Sequence, residues 1–180
     1  MPQPLVFEKK NVLVTGGAGF IGSHLCEQLL RDRHRVICVD NLATGEAKNI
    51  EALLQHADFR FLRLDVNVPF ELETFAELAA FKIPFQGIQE IYHFACPTSI
   101  KNFDQFKIQT LLSNSLGNYH VLELARKYRS KVLFASSSVV YGQRKDSGHL
   151  VQEQERGEVD QLSARACYDE GKRFSETMFE

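Results

Sequence analysis

The stretch Thr15 to Gly22 restricts the possible folds of this chain more than any other. Asn11 to Thr15 (NVLVT) is rich in β-branched residues and runs into Gly16. It reads as a short buried strand. Thr15-Gly16-Gly17-Ala18-Gly19-Phe20-Ile21-Gly22 follows, and residues 20–31 then carry helical spacing through Ile21, Leu25, Leu29 and Leu30. The glycines fit G-x-G-x-x-G from Gly17 and G-x-x-G-x-x-G from Gly16. Glycine permits the tight turn, and its missing side chain lets backbone amides approach a pyrophosphate. Gly22 would let the helix pack closely on the sheet. The strand before and the helix after are the context that separates this motif from an ordinary glycine-rich turn.

The rest of the chain alternates strand and helix signals. Strands are expected at 35–39, 59–64, 90–94 and 131–135. Helices are expected at 49–56, 71–81 (ended with help from Pro84), 106–128 and from Cys167 onward, with a polar loop over 143–163. Short apolar strands separated by helices predict an α/β fold, a Rossmann-type doubly wound parallel sheet that binds ligands at the carboxyl ends of its strands.

Composition narrows the function classes. The chain has 180 residues, 44% apolar and 24% charged, enough for one domain with a real core. A net charge of −2 gives no support to nucleic-acid or membrane-surface binding. No apolar run approaches the ~20 residues that span a bilayer. The first ten residues lack the pattern of a signal peptide. Cys26, Cys38, Cys96 and Cys167 form no C-x-x-C pair and read as dispersed thiols of a reducing, cytoplasmic compartment. The six histidines show no ligand spacing, so no metal site is expected.

The chemistry-bearing residues follow the expected strands. Asp40 lies eighteen residues after Gly22, where a carboxylate can accept hydrogen bonds from the adenosine ribose hydroxyls. It would repel a 2′-phosphate, and Asn41, Leu42 and Ala43 supply no cation, so NAD is expected over NADP. Taken alone, Asp40 also reads as a turn residue before Asn41. Asp65-Val66 could meet the adenine edge, or Asp65 could simply end its strand. Tyr168 and Lys172 form Y-x-x-x-K, one face of a helix. The ammonium is expected to favour the phenolate and lower the tyrosine pKa, making a base for a sugar hydroxyl proton while hydride leaves to nicotinamide. A surface helix pair is the plain alternative. Ser136-Ser137-Ser138 could hydrogen-bond the reacting oxygen or satisfy its own loop.

Five stretches in this order resemble the extended short-chain dehydrogenase/reductase family, the NAD-dependent nucleotide-sugar epimerases, dehydratases and decarboxylases. They are TGGAGFIGSHL (Thr15 to Leu25), VDN (Val39 to Asn41), YHFAC (Tyr92 to Cys96), SSSVVYG (Ser136 to Gly142) and YDEGK (Tyr168 to Lys172). Within the family, RACYDEGKRFSETM (Arg165 to Met178), HFACPTSIKNF (His93 to Phe103) and the Val39 to Gly45 turn are most similar to the UDP-glucuronate decarboxylase branch, with the 4-epimerases next. The resemblance implies that Gly16, Gly19, Phe20, Ile21 and Gly22 bind the NAD pyrophosphate. It implies Asp40, Asn41, Thr44 and Gly45 around the adenosine ribose, Asp65 and Val66 at adenine, and Ala95 beside the cofactor. Ser137 takes the place of the catalytic Ser/Thr, Tyr168 is the base and also belongs to the cofactor-binding set, and Lys172 binds the nicotinamide ribose and tunes Tyr168. Pro97, Ser99 and Asn102 match the loop near a UDP-sugar substrate. The implied reaction oxidises the sugar at C4, loses carbon dioxide and re-reduces the ketone. A homodimer through 106–128 is also implied, although its apolar residues serve equally as core.

Three departures accompany the resemblance. Val139 stands where decarboxylases carry a catalytic glutamate, which weighs against a dehydratase and leaves epimerase chemistry open. The 65–89 segment is longer than in decarboxylases. Family members continue past the position of Glu180 with a substrate lobe. The 180 residues are therefore expected to form an incomplete NAD-binding domain that binds NAD but turns over little, and a non-catalytic NAD-binding module is the alternative of another class.

Overall fold

The computed structural model describes residues 9–99, 103–143, 148 and 150–180. Five strands form one parallel sheet: β1 Asn11–Thr15, β2 Arg35–Val39, β3 Phe59–Leu62, β4 Glu90–His93 and β5 Lys131–Phe134, in the order β3-β2-β1-β4-β5. Val12 pairs with Val36 on one side and with Glu90 on the other, so β1 is central. The chain fills one half of the sheet with β1, β2 and β3, then crosses to start the other half with β4. That reversal opens a crevice at the carboxyl ends of β1 and β4, where such sheets bind ligands. This is the Rossmann-type parallel architecture expected from the strand pattern.

Both faces of the sheet are covered, which explains its near-continuous apolar strands. Val12, Val14, Val36 and Cys38 point to one face and pack with Cys26, Leu29 and Leu30 of helix α1 (Phe20–Arg31). Leu13, Ile37, Val39 and Ile91 point to the other and meet Val121, Leu124 and Ala125 of helix α4 (Asn118–Tyr128). No helix among the described residues is long and apolar enough to cross a membrane.

Several expected elements differ. In place of a 49–56 helix there are two single 3-10 turns, Ala47–Asn49 and Glu51–Leu53. The 71–81 stretch is also 3-10, Leu72–Thr74 and Ala76–Phe81, because Phe75 between them is extended and packs against the core. Leu72, Leu78 and Phe81 are buried in the sheet core, and that burial overrides helical spacing. Pro84 does not end a helix; it lies in the first turn of a short one, α2 (Ile83–Gln86), where its missing N–H is harmless. β3, β4 and β5 stop one or two residues earlier than expected.

The long 106–128 helix is in fact three pieces. α3 (Phe103–Leu112) is followed by a π-helical segment, Ser113–Gly117, and then α4. Within α3, Phe106 departs from helical dihedrals. A 3-10 turn at Ser138–Tyr141, not anticipated, follows β5, and α5 (Ala166–Phe179) closes the described chain.

Candidate active site

The crevice is a cleft of about 620 Å³ lined by residues that leave all five strands. After β1 come Gly16, Gly19, Phe20, Ile21 and Gly22; after β2, Asp40, Asn41, Thr44 and Gly45; after β3, Asp65 and Val66. Ala95, Pro97 and Ser99 follow β4, Ser136 follows β5, and Tyr168 arrives from α5. Residues named from widely separated motifs thus share one cavity, although Ser137 and Lys172 are not among its lining. Asn102 lies outside the described residues. Thr98, Asn67, Gln109 and Ser113 also line the cleft and were not anticipated.

The glycine turn has the form a pyrophosphate cradle needs. Gly16 has φ +70°, and a Cβ there would meet the backbone of Phe94 and Ala95 at 2.8 Å. A Cβ on Gly22 would lie 2.2 Å from the Gly16 carbonyl oxygen. Helix α1 therefore starts hard against the turn. Gly19 is its N-cap, no side chain caps it, and its first turn has no acidic residue. Its leading N–H groups and the positive end of its dipole face the cleft without a competing anion.

Asp40 is buried and already engaged. Its Oδ2 accepts from the Ala18 N–H at 3.0 Å, and its Oδ1 accepts from the Leu42 N–H at 2.8 Å. These two bonds fix the carboxylate at the cleft edge and leave each oxygen a further lone pair. Gly45 packs against it so tightly that a Cβ would sit 2.9 Å from Oδ2. Asn41 Nδ2 donates to Asp65 Oδ2 at 3.1 Å, tying the β2 and β3 loops together at that end.

At the opposite end, Tyr168 and Lys172 occupy one face of α5. Lys172 is buried, its ammonium donates to the Ala135 carbonyl at 2.9 Å, and it lies over the Phe134 ring at 4.5 Å. Burial holds its pKa below the usual lysine value. The Phe103 ring stacks on Tyr168 with centroids 5.4 Å apart. Ser137 opens the 3-10 turn, its Oγ accepting from the Val139 N–H at 3.4 Å, and its hydroxyl engages the Tyr168 phenol.

The expected depressed phenol is not what this arrangement gives. Burial raises the Tyr168 pKa above its ordinary 10, and the Ser137 hydroxyl only partly draws it back. Lys172 sits 5.8 Å from the ring centre and spends a hydrogen bond on Ala135, and the loss of water decides the direction.

Behind the cleft wall is a buried polar chain. Thr15 Oγ1 lies 2.6 Å from His93 Nδ1, and His93 Nε2 lies 3.0 Å from Asn118 Oδ1. Asn118 Nδ2 donates to Ser175 Oγ at 2.8 Å, and Ser175 Oγ lies 2.9 Å from Asn114 Oδ1. Asn114 Nδ2 reaches Cys96 Sγ at 3.2 Å, while the Ala95 N–H reaches Thr15 Oγ1 at 3.4 Å. Thr15, His93, Asn118 and Ser175 had not been singled out from the sequence. The i, i+4 spacing of Asn114 and Asn118 was the one local signal available.

The NAD dependent epimerase/dehydratase family profile matches residues 12–180, nearly the whole chain. The chain belongs to that family. Among its curated relatives, UDP-glucuronic acid decarboxylase 1 of Xenopus tropicalis is 39% identical over 171 residues, covering 95% of this chain and 37% of the relative. UDP-glucuronic acid decarboxylase 6 of Arabidopsis thaliana is 36% identical over 184 residues, covering 99% of this chain and 49% of the relative. The chain therefore spans less than half the length of both. The solved UDP-glucose 4-epimerase of Thermus thermophilus in complex with NAD superimposes with a TM-score of 0.71 at 29% identity, covering 94% of this chain and 49% of that one.

Proposed function

We propose that this chain supplies the NAD site and the hydroxyl-oxidising residues of a UDP-sugar-modifying enzyme, a decarboxylase of UDP-glucuronate. The observation that carries the reading is the shared cleft. A glycine turn against an uncapped helix start and the Asp40 carboxylate form one end, and Tyr168 and Ser136 line the other, with Ser137 beside the phenol but outside the lining. Likeness of 34 to 39% to UDP-glucuronic acid decarboxylases supports the substrate.

NAD, when bound, supplies the hydride acceptor and afterwards the hydride donor, with no net consumption. The remaining work falls to the chain. Gly16, Gly19, Phe20, Ile21 and Gly22 hold the pyrophosphate through backbone amides. Asp40, Asn41, Thr44 and Gly45 hold the adenosine ribose, Asp65 and Val66 flank adenine, and Ala95 borders the cofactor. Tyr168 removes the sugar C4 hydroxyl proton as the C4–H bond gives up its hydride, and Ser137 hydrogen-bonds the oxygen that becomes the ketone. A carboxylate on the neighbouring carbon then leaves as carbon dioxide, its bonding electrons accepted by that ketone. Lys172 binds the nicotinamide ribose and offsets negative charge on Tyr168. Pro97 and Ser99 border the sugar. The exposed apolar residues Ile108, Leu111, Leu116 and Tyr119 along α3, the π segment and α4 support a homodimer through that face.

A second reading rests on Val139, which follows Ser137 by two positions and offers no proton. A 4-epimerase needs none there. The two readings are separated by incubating the protein with NAD and either UDP-glucuronate or UDP-glucose. UDP-xylose supports the decarboxylase, UDP-galactose the epimerase, and NAD binding with neither product a non-catalytic module.

A further inference from the structure

The buried polar chain behind the cleft is a closed circuit. It starts at the Ala95 N–H, runs through Thr15, His93, Asn118, Ser175 and Asn114, and returns to Cys96, the next residue along. Its members come from β1, β4, the π segment, α4 and α5, and Thr15, Asn118 and Ser175 have no solvent exposure. Residues 95 and 96 both line the cleft.

The directions of its bonds can be worked out. Asn118 Nδ2 donates to the Asn114 carbonyl at 2.8 Å, so its oxygen must be the atom facing His93. An amide oxygen only accepts, so His93 Nε2 carries a proton. Asn114 Nδ2 donates to the Thr110 carbonyl at 2.8 Å, so Asn114 Oδ1 faces the Ser175 hydroxyl at 2.9 Å, which also has the Gly171 carbonyl of its own helix within reach at 2.8 Å. Ser175 Oγ thus accepts from Asn118 and shares its one proton between Asn114 and the Gly171 carbonyl. His93 is fully buried, and burial with Lys172 nearby pushes its pKa down to about 4, so the ring is neutral. Its Nδ1 is then bare and takes the Thr15 O–H. A π-helical turn in place of an α turn presents Asn114 and Asn118 together to α5.

We infer that Ser175 and Asn118, acting through a neutral His93 protonated on Nε2, are positioning residues that lock the helix bearing Tyr168 and Lys172 onto the Ala95–Cys96 wall of the cleft. Ser175 lies seven residues after Tyr168 and three after Lys172, so a bond there fixes the rotation of α5 about its axis. Rotation of α5 decides whether the Tyr168 phenol faces the cleft. The inference rests on the reading of Tyr168 as the base, but its structural content needs no NAD.

The test uses the 180-residue protein labelled with ¹⁵N in histidine. In the unmutated protein, NMR of the His93 ring is expected to show a protonated Nε2 and a bare Nδ1 at neutral pH; a proton on Nδ1 overturns the inference. Ser175→Ala removes both asparagine contacts. Amide hydrogen exchange over α5 is then expected to accelerate about tenfold relative to β1 and β2, the size of one buried hydrogen bond. The Tyr168 phenol is expected to titrate closer to its ordinary value as water reaches it. If either is unchanged, the inference falls. A correct His93 tautomer and loosened α5 in a protein that binds no NAD would leave the inference standing and overturn the proposed function instead.

Discussion

Lys172 and Tyr168 are one helical turn apart on α5, yet the ammonium donates to the Ala135 carbonyl and stands 5.8 Å from the centre of the Tyr168 ring. The pair is thus a held-apart acid and base rather than an ion pair. Burial pushes both toward their neutral forms, the phenol upward and the ammonium downward.

That geometry sets a pH dependence. A phenol raised above 10 is ionised in a small and increasing fraction as pH rises through the neutral and alkaline range. For the free enzyme, kcat/KM is expected to climb with pH across that range. Tyr168→Phe should reduce kcat by roughly 10² to 10⁴ while changing the NAD dissociation constant less than about twofold. Steady-state kinetics with UDP-glucuronate and UDP-glucose as trial substrates, alongside calorimetry, checks both. A flat profile, or full activity in the variant, would remove Tyr168 from the role of base.

The start of α1 tolerates no side chain at Gly22. A methyl there would meet the Gly16 carbonyl oxygen at 2.2 Å and the Gly17 Cα at 2.7 Å, both backbone. Gly22→Ala should destabilise the protein by about 1 to 3 kcal/mol, as overpacking does, and displace the amides facing the cleft. Urea unfolding with an unchanged midpoint would show that the turn has slack.

His93 makes stability sensitive to acid. Its folded pKa of about 4 lies below the ordinary 6.5, so the unfolded chain takes up this proton first as pH falls. Its contribution is complete above pH 6.5, is lost between 6.5 and 4, and changes no further below that. Lys172 is the charge that faces it, and Phe134 and Phe179 flank its ring at 6.0 Å. Melting temperature should therefore fall steeply from pH 6.5 to 4, and His93→Gln should flatten that slope. Equal slopes in the two proteins would place the acid sensitivity elsewhere.

Much of this architecture could be read from local signals. The glycine turn, the β-branched strands and Asp40 at the end of β2 each announce themselves within a few residues. Segment 71–81 did not, because its helical spacing competes with burial of Leu72, Leu78 and Phe81, which holds Phe75 extended between two 3-10 turns. The circuit around His93 was invisible for another reason. Its directly bonded partners lie up to 80 residues apart along the chain, and each looks ordinary in its own segment. The spacing of Tyr168 and Lys172 was legible, but the direction of the phenol shift was not, since it depends on burial by Phe103 and on Ala135 capturing the ammonium.

Asp40 is expected to set cofactor choice. Held by the Ala18 and Leu42 amides, its carboxylate occupies the cleft edge where a 2′-phosphate would be repelled. Asp40→Ala should weaken NAD binding and narrow its advantage over NADP, each by about tenfold, the value of a charge-assisted hydrogen bond. Competition titrations that leave the ratio unchanged would show that Asp40 serves only its own turn.

If these 180 residues build a working NAD site, isothermal titration calorimetry of the protein with NAD and with NADP detects it without any sugar substrate. Saturable binding of NAD at one site, tighter than NADP and abolished by Gly22→Ala, is the predicted result. A folded protein that takes up no NAD, or that prefers NADP, would contradict it.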